Sequence, residues 1–266
     1  MVAIANGPPL SAPGGAEARF FRNGAIVMAL IVAAGFSLNL IMGRSSFGAP
    51  PIIHAHAVVF MGWVAIYLTQ NVLVANGNMT LHRRLGWIAT GWVVLMLVLG
   101  CAVTAADVRL ARVPFFFKPL QFLVFDPVTL FAFAGLTFAA VALRRQTEWH
   151  RRLHFSAMAL MLGPAFGRLL PLPLLMPWAW EADLAACVVF LLVAMALDAR
   201  RGGRVHPAWL WGLGVMVAVV PVTEAITYGP AGVPLYRTVA AGSKGDAVAP
   251  LQLGTPPGPP PSGAGR

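Results

Sequence analysis

Charge is scarce in this chain, and acid is scarcer still. Of 266 residues, 9 are Asp or Glu and 19 are Lys or Arg, so charged residues make up 11% against 58% hydrophobic ones. That balance excludes an ordinary soluble domain, in which about a quarter of the residues carry charge. Cysteine is nearly absent as well. Cys101 and Cys187 both fall inside long apolar runs, which excludes a secreted disulfide framework and leaves no cysteine pair at metal-ligand spacing. Familiar enzyme signatures are missing: there is no His-Glu-x-x-His pair, no Walker loop and no Gly-x-Ser-x-Gly elbow. The net charge of +10 invites a nucleic-acid partner, but the basic residues are scattered among short loops and do not gather on one face, which argues against one.

What is abundant is apolar sequence in runs long enough to cross a bilayer. About 20 residues of helix are needed for some 30 Å of hydrocarbon. Seven runs qualify, at residues Gly24 to Met42, Ile52 to Ala75, His82 to Ala106, Leu120 to Leu143, His150 to Leu170, Leu174 to Leu197 and Pro207 to Tyr228. All are expected to be helical, because lipid leaves the backbone no other partner than itself. The expected fold class is therefore all-α, a polytopic membrane helix bundle with seven transmembrane helices spanning residues 19–228. Residues 1–18 and the Pro/Gly-rich segment 229–266 lack the apolar pattern of a core and are expected to be mostly disordered tails. Arg19 and Arg22 before the first run resemble the start of a secretory signal. Cleavage after Ala49 would leave Pro50 at the new terminus, so the run is expected to stay as the first helix.

The arginines set a direction. With seven spans, Arg19, Arg22, Arg83, Arg84, Arg144, Arg145, Arg151, Arg152, Arg200, Arg201 and Arg204 share the N-terminal side, whereas the opposite short loops carry Arg44, Arg109, Arg112, Lys118 and Arg168. By the positive-inside rule the N-terminus is cytoplasmic and the C-terminus periplasmic. The tetrapeptide His-Arg-Arg-Leu occurs twice on that side, in "LHRRLGW" at 81–87 and "WHRRLHF" at 149–155, each at the threshold of an apolar run. Both copies read as headgroup anchors, with Thr80 and Thr147 just upstream as N-caps. The pair of hairpins they introduce raises an internal repeat without establishing one.

Histidine supplies the remaining chemistry. His150 and His154 are four residues apart and share one helical face, while His82 opens the third span. Two readings stand: interfacial histidines solvated beside arginines, or axial ligands of a haem whose propionates meet those arginines. This histidine pattern resembles cytochrome b561-type membrane proteins over spans two to five. The resemblance implies haem b held by His82 with His150 or His154, although the fourth span has no histidine and so departs from a two-haem arrangement. From His54 to His206, the "HAHAVVFMGW" segment, the "LHRRLG" opening of the third span and the later His-basic-basic-Leu opening are similar to a group of uncharacterised bacterial multi-pass membrane proteins. That likeness implies a bacterial inner-membrane location and no specific activity.

At the opposite side, His56 precedes Phe60 and Trp63 on one helical stripe, and Asp126 is expected at a similar depth with Arg168, Glu181, Asp183 and Glu224 nearby. His56 with Asp126 would suit a metal or acid–base site. The competing reading makes Asp126 the N-cap and Pro127 the first residue of the fourth helix. Gly163-Pro164 signals a kink in the fifth span. Taken together, the residues suggest a structural, sensory or small-molecule-binding protein of the lipid bilayer; a haem-binding electron carrier and an outward metal or acid–base site are the alternatives.

Overall fold

The computed structural model describes residues 15–45 and 48–256. Every regular element among them is helical: α1 (Gly15–Ile41), α2 (Pro51–Ala75), α3 (Met79–Arg109), α4 (Pro119–Ala142), α5 (Thr147–Leu160), α6 (Gly163–Leu169), α7 (Ala179–Gly202), α8 (Pro207–Thr227) and α9 (Gly232–Ala240), with 3-10 turns at Leu172–Leu175 and Lys244–Ala247. Six of these, α1, α2, α3, α4, α7 and α8, are long and apolar enough to cross a membrane. The protein is a multi-pass membrane protein by that criterion.

The seventh expected span is two shorter helices. Pro164 has no amide hydrogen, and its ring would strike the carbonyl of Leu160 in a continuous helix. The chain therefore leaves α5 through tightened turns at Met161 and Leu162, whose amides donate to Met158 and Ala159, and restarts as α6 with Pro164 in its first turn. Pro127 behaves differently, lying within α4 without ending it. The fourth helix begins at Pro119, so Asp126 is two turns inside and does not cap it. Nor do Thr80 and Thr147 act as N-caps: Asn78 accepts the Leu81 amide at 3.1 Å before α3, and Gln146 precedes α5 without a side-chain cap.

α5 is the central element. It contacts α1, α4, α7 and α8, and between Arg152 and Leu160 only His154 escapes full burial. Small residues allow this close approach, as expected where helices meet in lipid. A Cβ on Gly212 of α8 would fall 2.1 Å from the Ser156 hydroxyl, and one on Gly35 of α1 would fall 2.6 Å from the Ala165 carbonyl oxygen. Phe21, Phe155 and Trp209 complete an aromatic cluster, with Phe155 edge-on to Trp209 at 5.3 Å and to Phe21 at 5.9 Å. Outward positions such as Leu30, Val58, Val98 and Trp211 remain exposed, forming an apolar perimeter suited to lipid.

The bundle has two distinct ends. At the basic end meet the start of α1, the α2–α3 and α4–α5 turns and the α7–α8 turn; contacts there include Arg144 over Trp87 and Trp149 against His206. The other end is capped by sequence expected to be a disordered tail. α9 packs on α3, α4 and α8, where Tyr236 and Ala240 bury against Val108, Leu120 and Val124. Tyr236 donates to the Gly245 carbonyl at 3.0 Å, Arg109 to that of Val239 at 2.6 Å, and the Leu120 amide to that of Pro250 at 2.8 Å. Folded sequence thus extends well beyond Tyr228, because an apolar stripe of only three turns escapes a search for spans of 18 residues. Toward the N-terminus, α1 already includes Glu17 and Ala18, which were expected in a tail, while residues 1–14 and 257–266 lie outside the described residues.

Candidate functional site

The two His-Arg-Arg-Leu copies do different work. Arg83 and Arg84 are exposed, as anchors should be. Arg152 is 5% exposed and reaches Asp198 on α7, also 5% exposed, with Nε and Nη2 each 2.8 Å from Oδ2. Trp209 of α8 donates to the same oxygen at 2.8 Å. Arg152 also pairs with Glu148 one turn earlier and approaches Glu17 of α1 at 3.4 Å, while Arg151 pairs with Glu17 and Glu148. One buried guanidinium therefore ties α5 to α1, α7 and α8. The acids that complete the network give little warning in sequence: Asp198 is a lone carboxylate in a basic helix end, and its only signal is that such an end needs no acid.

The three histidines do meet. His82 of α3 and His150 of α5 have ring centroids 6.2 Å apart, and His150 lies 4.7 Å from His154, both contacts edge-to-face. His150 Nδ1 is 2.8 Å from the Ala140 carbonyl oxygen. A carbonyl only accepts, so Nδ1 holds the proton and Nε2 carries the lone pair in the neutral ring. His82 Nδ1 is buried without a partner, as is Oε1 of Gln70 on α2. The Gln70 backbone lies close enough to influence His82, and its side chain lies across from Gly86 of α3, 3.5 Å from where a Cβ would stand. Gln70 is the member sequence reading missed, since a single glutamine in an apolar run carries no motif.

These residues bring polar groups of α2, α3 and α5 together. His82 and His150, on different helices, are the two side chains that would hold a haem iron if one bound; His154 shares a helix with His150 and is the less suited partner. Arg151 and Arg152 are committed to carboxylates and do not face a propionate, whereas Arg83 and Arg84 remain exposed. Nearby, His206 at the start of α8 accepts the Ala208 amide through Nδ1 at 3.1 Å, and burial followed by the charge of Arg152 holds it below the usual histidine range.

At the capped end the structure does not join His56 to Asp126. His56 packs on Phe60 with ring centroids 4.1 Å apart, while Asp126 is paired with the Thr104 hydroxyl at 3.4 Å; no hydrogen bond or ion pair links the two among the described residues. Their helices are not sequence neighbours, and α3 lies between them as the element packed on both. Among the described residues no group of three or more His, Cys, Asp or Glu side chains is disposed to hold a metal ion. Gln121 of α4 donates to Glu224 of α8 at 2.9 Å, and Lys118 to the Tyr228 hydroxyl at 2.8 Å, which accounts for two polar pairs at this boundary.

No protein-family model matches the chain, and no curated protein or solved structure is similar to it at a significant level.

Proposed function

We propose that this chain is a seven-crossing protein of the bacterial inner membrane that binds a small polar molecule between α2, α3 and α5 near the cytoplasmic face. The seventh crossing is the broken pair α5–α6. In support, α4 finishes at the basic end, where Ala140 meets His150, while α7 starts at the capped end, where Trp180 stacks on Phe125 at 5.5 Å; the chain between them runs from one end to the other. The arginine bias puts the basic end, and with it the N-terminus, in the cytoplasm and the C-terminal cap in the periplasm.

The observation that carries the binding role is the pair of buried, unpartnered polar atoms, Gln70 Oε1 and His82 Nδ1, beside two further imidazoles. A buried polar atom without a partner costs about 1–3 kcal/mol, and a ligand that hydrogen-bonds both offsets that cost. Haem is the second reading, favoured by the cross-helix pair His82 and His150 and by the Ala140 carbonyl that orients one of them. Haem would supply one-electron transfer; the chain's part would be to fix the two imidazoles and to admit the propionates near Arg83 and Arg84.

The test is an absorption spectrum and mass analysis of an organic extract from protein purified out of its native membrane. The binding role predicts a co-purifying compound that Gln70→Leu and His82→Leu lose while the variants melt no lower than wild type. A Soret band lost in both His82→Ala and His150→Ala would identify that compound as haem. Wild-type protein yielding no compound beyond what the two leucine variants yield would overturn the reading.

A further inference from the structure

Acid is scarce at the basic end, and what there is has been taken. Glu17, Glu148 and Asp198 are the carboxylates there, and all of them pair with Arg151 or Arg152. The other arginines of that end have no carboxylate to meet. Arg83, Arg84 and Arg145 are exposed and make no hydrogen bond or ion pair among the described residues.

Two contacts bring the start of α3 and the α4–α5 turn together. The His82 and His150 rings lie 6.2 Å apart, and the Arg144 guanidinium lies over the Trp87 ring, 5.6 Å from its centroid. Arg144 Nη1 also donates to the Val141 carbonyl at 3.1 Å, which holds the guanidinium on its own turn. On α3, Arg83 and Arg84 precede Trp87 by four and three residues, the spacings at which helical side chains are neighbours. Guanidinium groups from two elements therefore border one indole, and that indole is 63% exposed. Further along α3 the outward side is apolar: Ile88, Val94, Leu95 and Val98 are all exposed.

The arrangement is a cationic rim above an apolar helix face, with an amphipathic ring at the boundary, where tryptophan meets the headgroup level of a bilayer. Guanidinium groups grip phosphate oxygens through paired N–H donors, and the apolar face suits acyl chains. The lack of a free carboxylate selects among headgroups. A zwitterionic headgroup would bring an ammonium group against guanidinium groups, with no acid to receive it.

We propose that Arg83, Arg84 and Arg144, gathered at Trp87, hold the phosphodiester headgroup of an anionic phospholipid, with its chains along the outward side of α3 and Arg145 adding charge from the same turn. The site faces lipid and uses none of the imidazoles, so it stands whether or not Gln70 and His82 bind a small molecule.

Native mass spectrometry of the full-length protein in neutral detergent, with equal amounts of dioleoylphosphatidylglycerol and dioleoylphosphatidylcholine added, counts the lipids retained. Wild type is expected to hold one phosphatidylglycerol before any phosphatidylcholine. Arg84→Gln combined with Arg144→Gln should weaken that binding about 30-fold, about fivefold for each arginine. Arg200→Gln combined with Arg204→Gln removes the same charge from exposed arginines near the α7–α8 turn and should leave the retained lipid unchanged. Both double variants alter exposed side chains and should melt near wild type in lipid-free detergent. Glycerophosphate at the lipid's concentration, which offers the phosphate without the chains, should not displace the lipid. Equal retention of the two lipids, an equal effect of the two double variants, or displacement by glycerophosphate overturns the proposal.

Discussion

Replacing Arg152 by alanine would leave Asp198 inside the bundle with Trp209 as its one remaining hydrogen-bond donor. Breaking a buried ion pair by removing one member costs about 3–5 kcal/mol, because the other charge stays desolvated. The indole hydrogen bond to a charged acceptor keeps about 1.5–3 kcal/mol of stabilisation and is already present in both proteins, so it does not reduce the difference. For a chain of this size each kcal/mol moves the unfolding midpoint by roughly 2–4 °C, which places Arg152→Ala on the order of 10 °C below wild type. Arg84→Ala is the matched control: the same tetrapeptide position in the first copy, exposed, and expected within about 0.5 kcal/mol of wild type. Tryptophan fluorescence followed through a thermal ramp in detergent measures both. Arg152→Met combined with Asp198→Leu should recover most of the loss, since a well-packed apolar pair can replace a buried salt bridge. Equal midpoints for Arg152→Ala and Arg84→Ala would refute the interior role of the second copy.

Two further outcomes follow from contacts already described. Gly212→Ala forces a methyl group onto Ser156 and should lower the same thermal midpoint by the equivalent of about 1–3 kcal/mol, with Ser156→Gly in the same protein restoring part of it; a neutral Gly212→Ala would mean that α5 and α8 do not meet there. His206 must be neutral for Nδ1 to accept the Ala208 amide, and its pKa in the folded protein is lowered. Between that value and the ordinary histidine pKa of about 6.5 the unfolded chain binds more protons, so this contribution is full above about pH 6.5 and is lost as pH falls through the folded value. Stability measured from pH 7 down to pH 5 should fall more steeply in wild type than in His206→Asn, which keeps a capping oxygen without the titration; parallel curves would contradict the cap.

The long apolar helices were legible because hydrophobic run length is set by a simple requirement, bilayer thickness, and every one of the six appears near its expected place. The Gly163-Pro164 signal was legible too, as a kink, though its result is a full interruption. Helix beginnings were less so. Asp126-Pro127 has the composition of an N-terminus, but Pro119 had already started the helix, and apolar packing of Leu120, Leu123 and Val124 against α9 extends it upstream. His82, His150 and His154 could be grouped by spacing and by their shared end, whereas Gln70 and Asp198 could not, since their roles depend on which helices touch. That no hydrogen bond joins His56 to Asp126 among the described residues has the same cause: depth along the membrane was estimated from sequence, but lateral neighbours are decided by packing.

The burial of α5 has a consequence for how the protein is made. Its first turns carry His150, Arg151, Arg152 and His154 within five residues, and a buried guanidinium left without its carboxylate costs several kcal/mol. Glu17 and Glu148 are already made when α5 emerges, but Asp198 of α7, the buried partner of Arg152, leaves the ribosome later. A chain emerging from its N-terminus therefore presents α5 before the buried carboxylate that pairs with Arg152 has been made. α5 is expected to complete its packing only once the α7–α8 hairpin arrives, which makes the middle of the bundle the last part to settle.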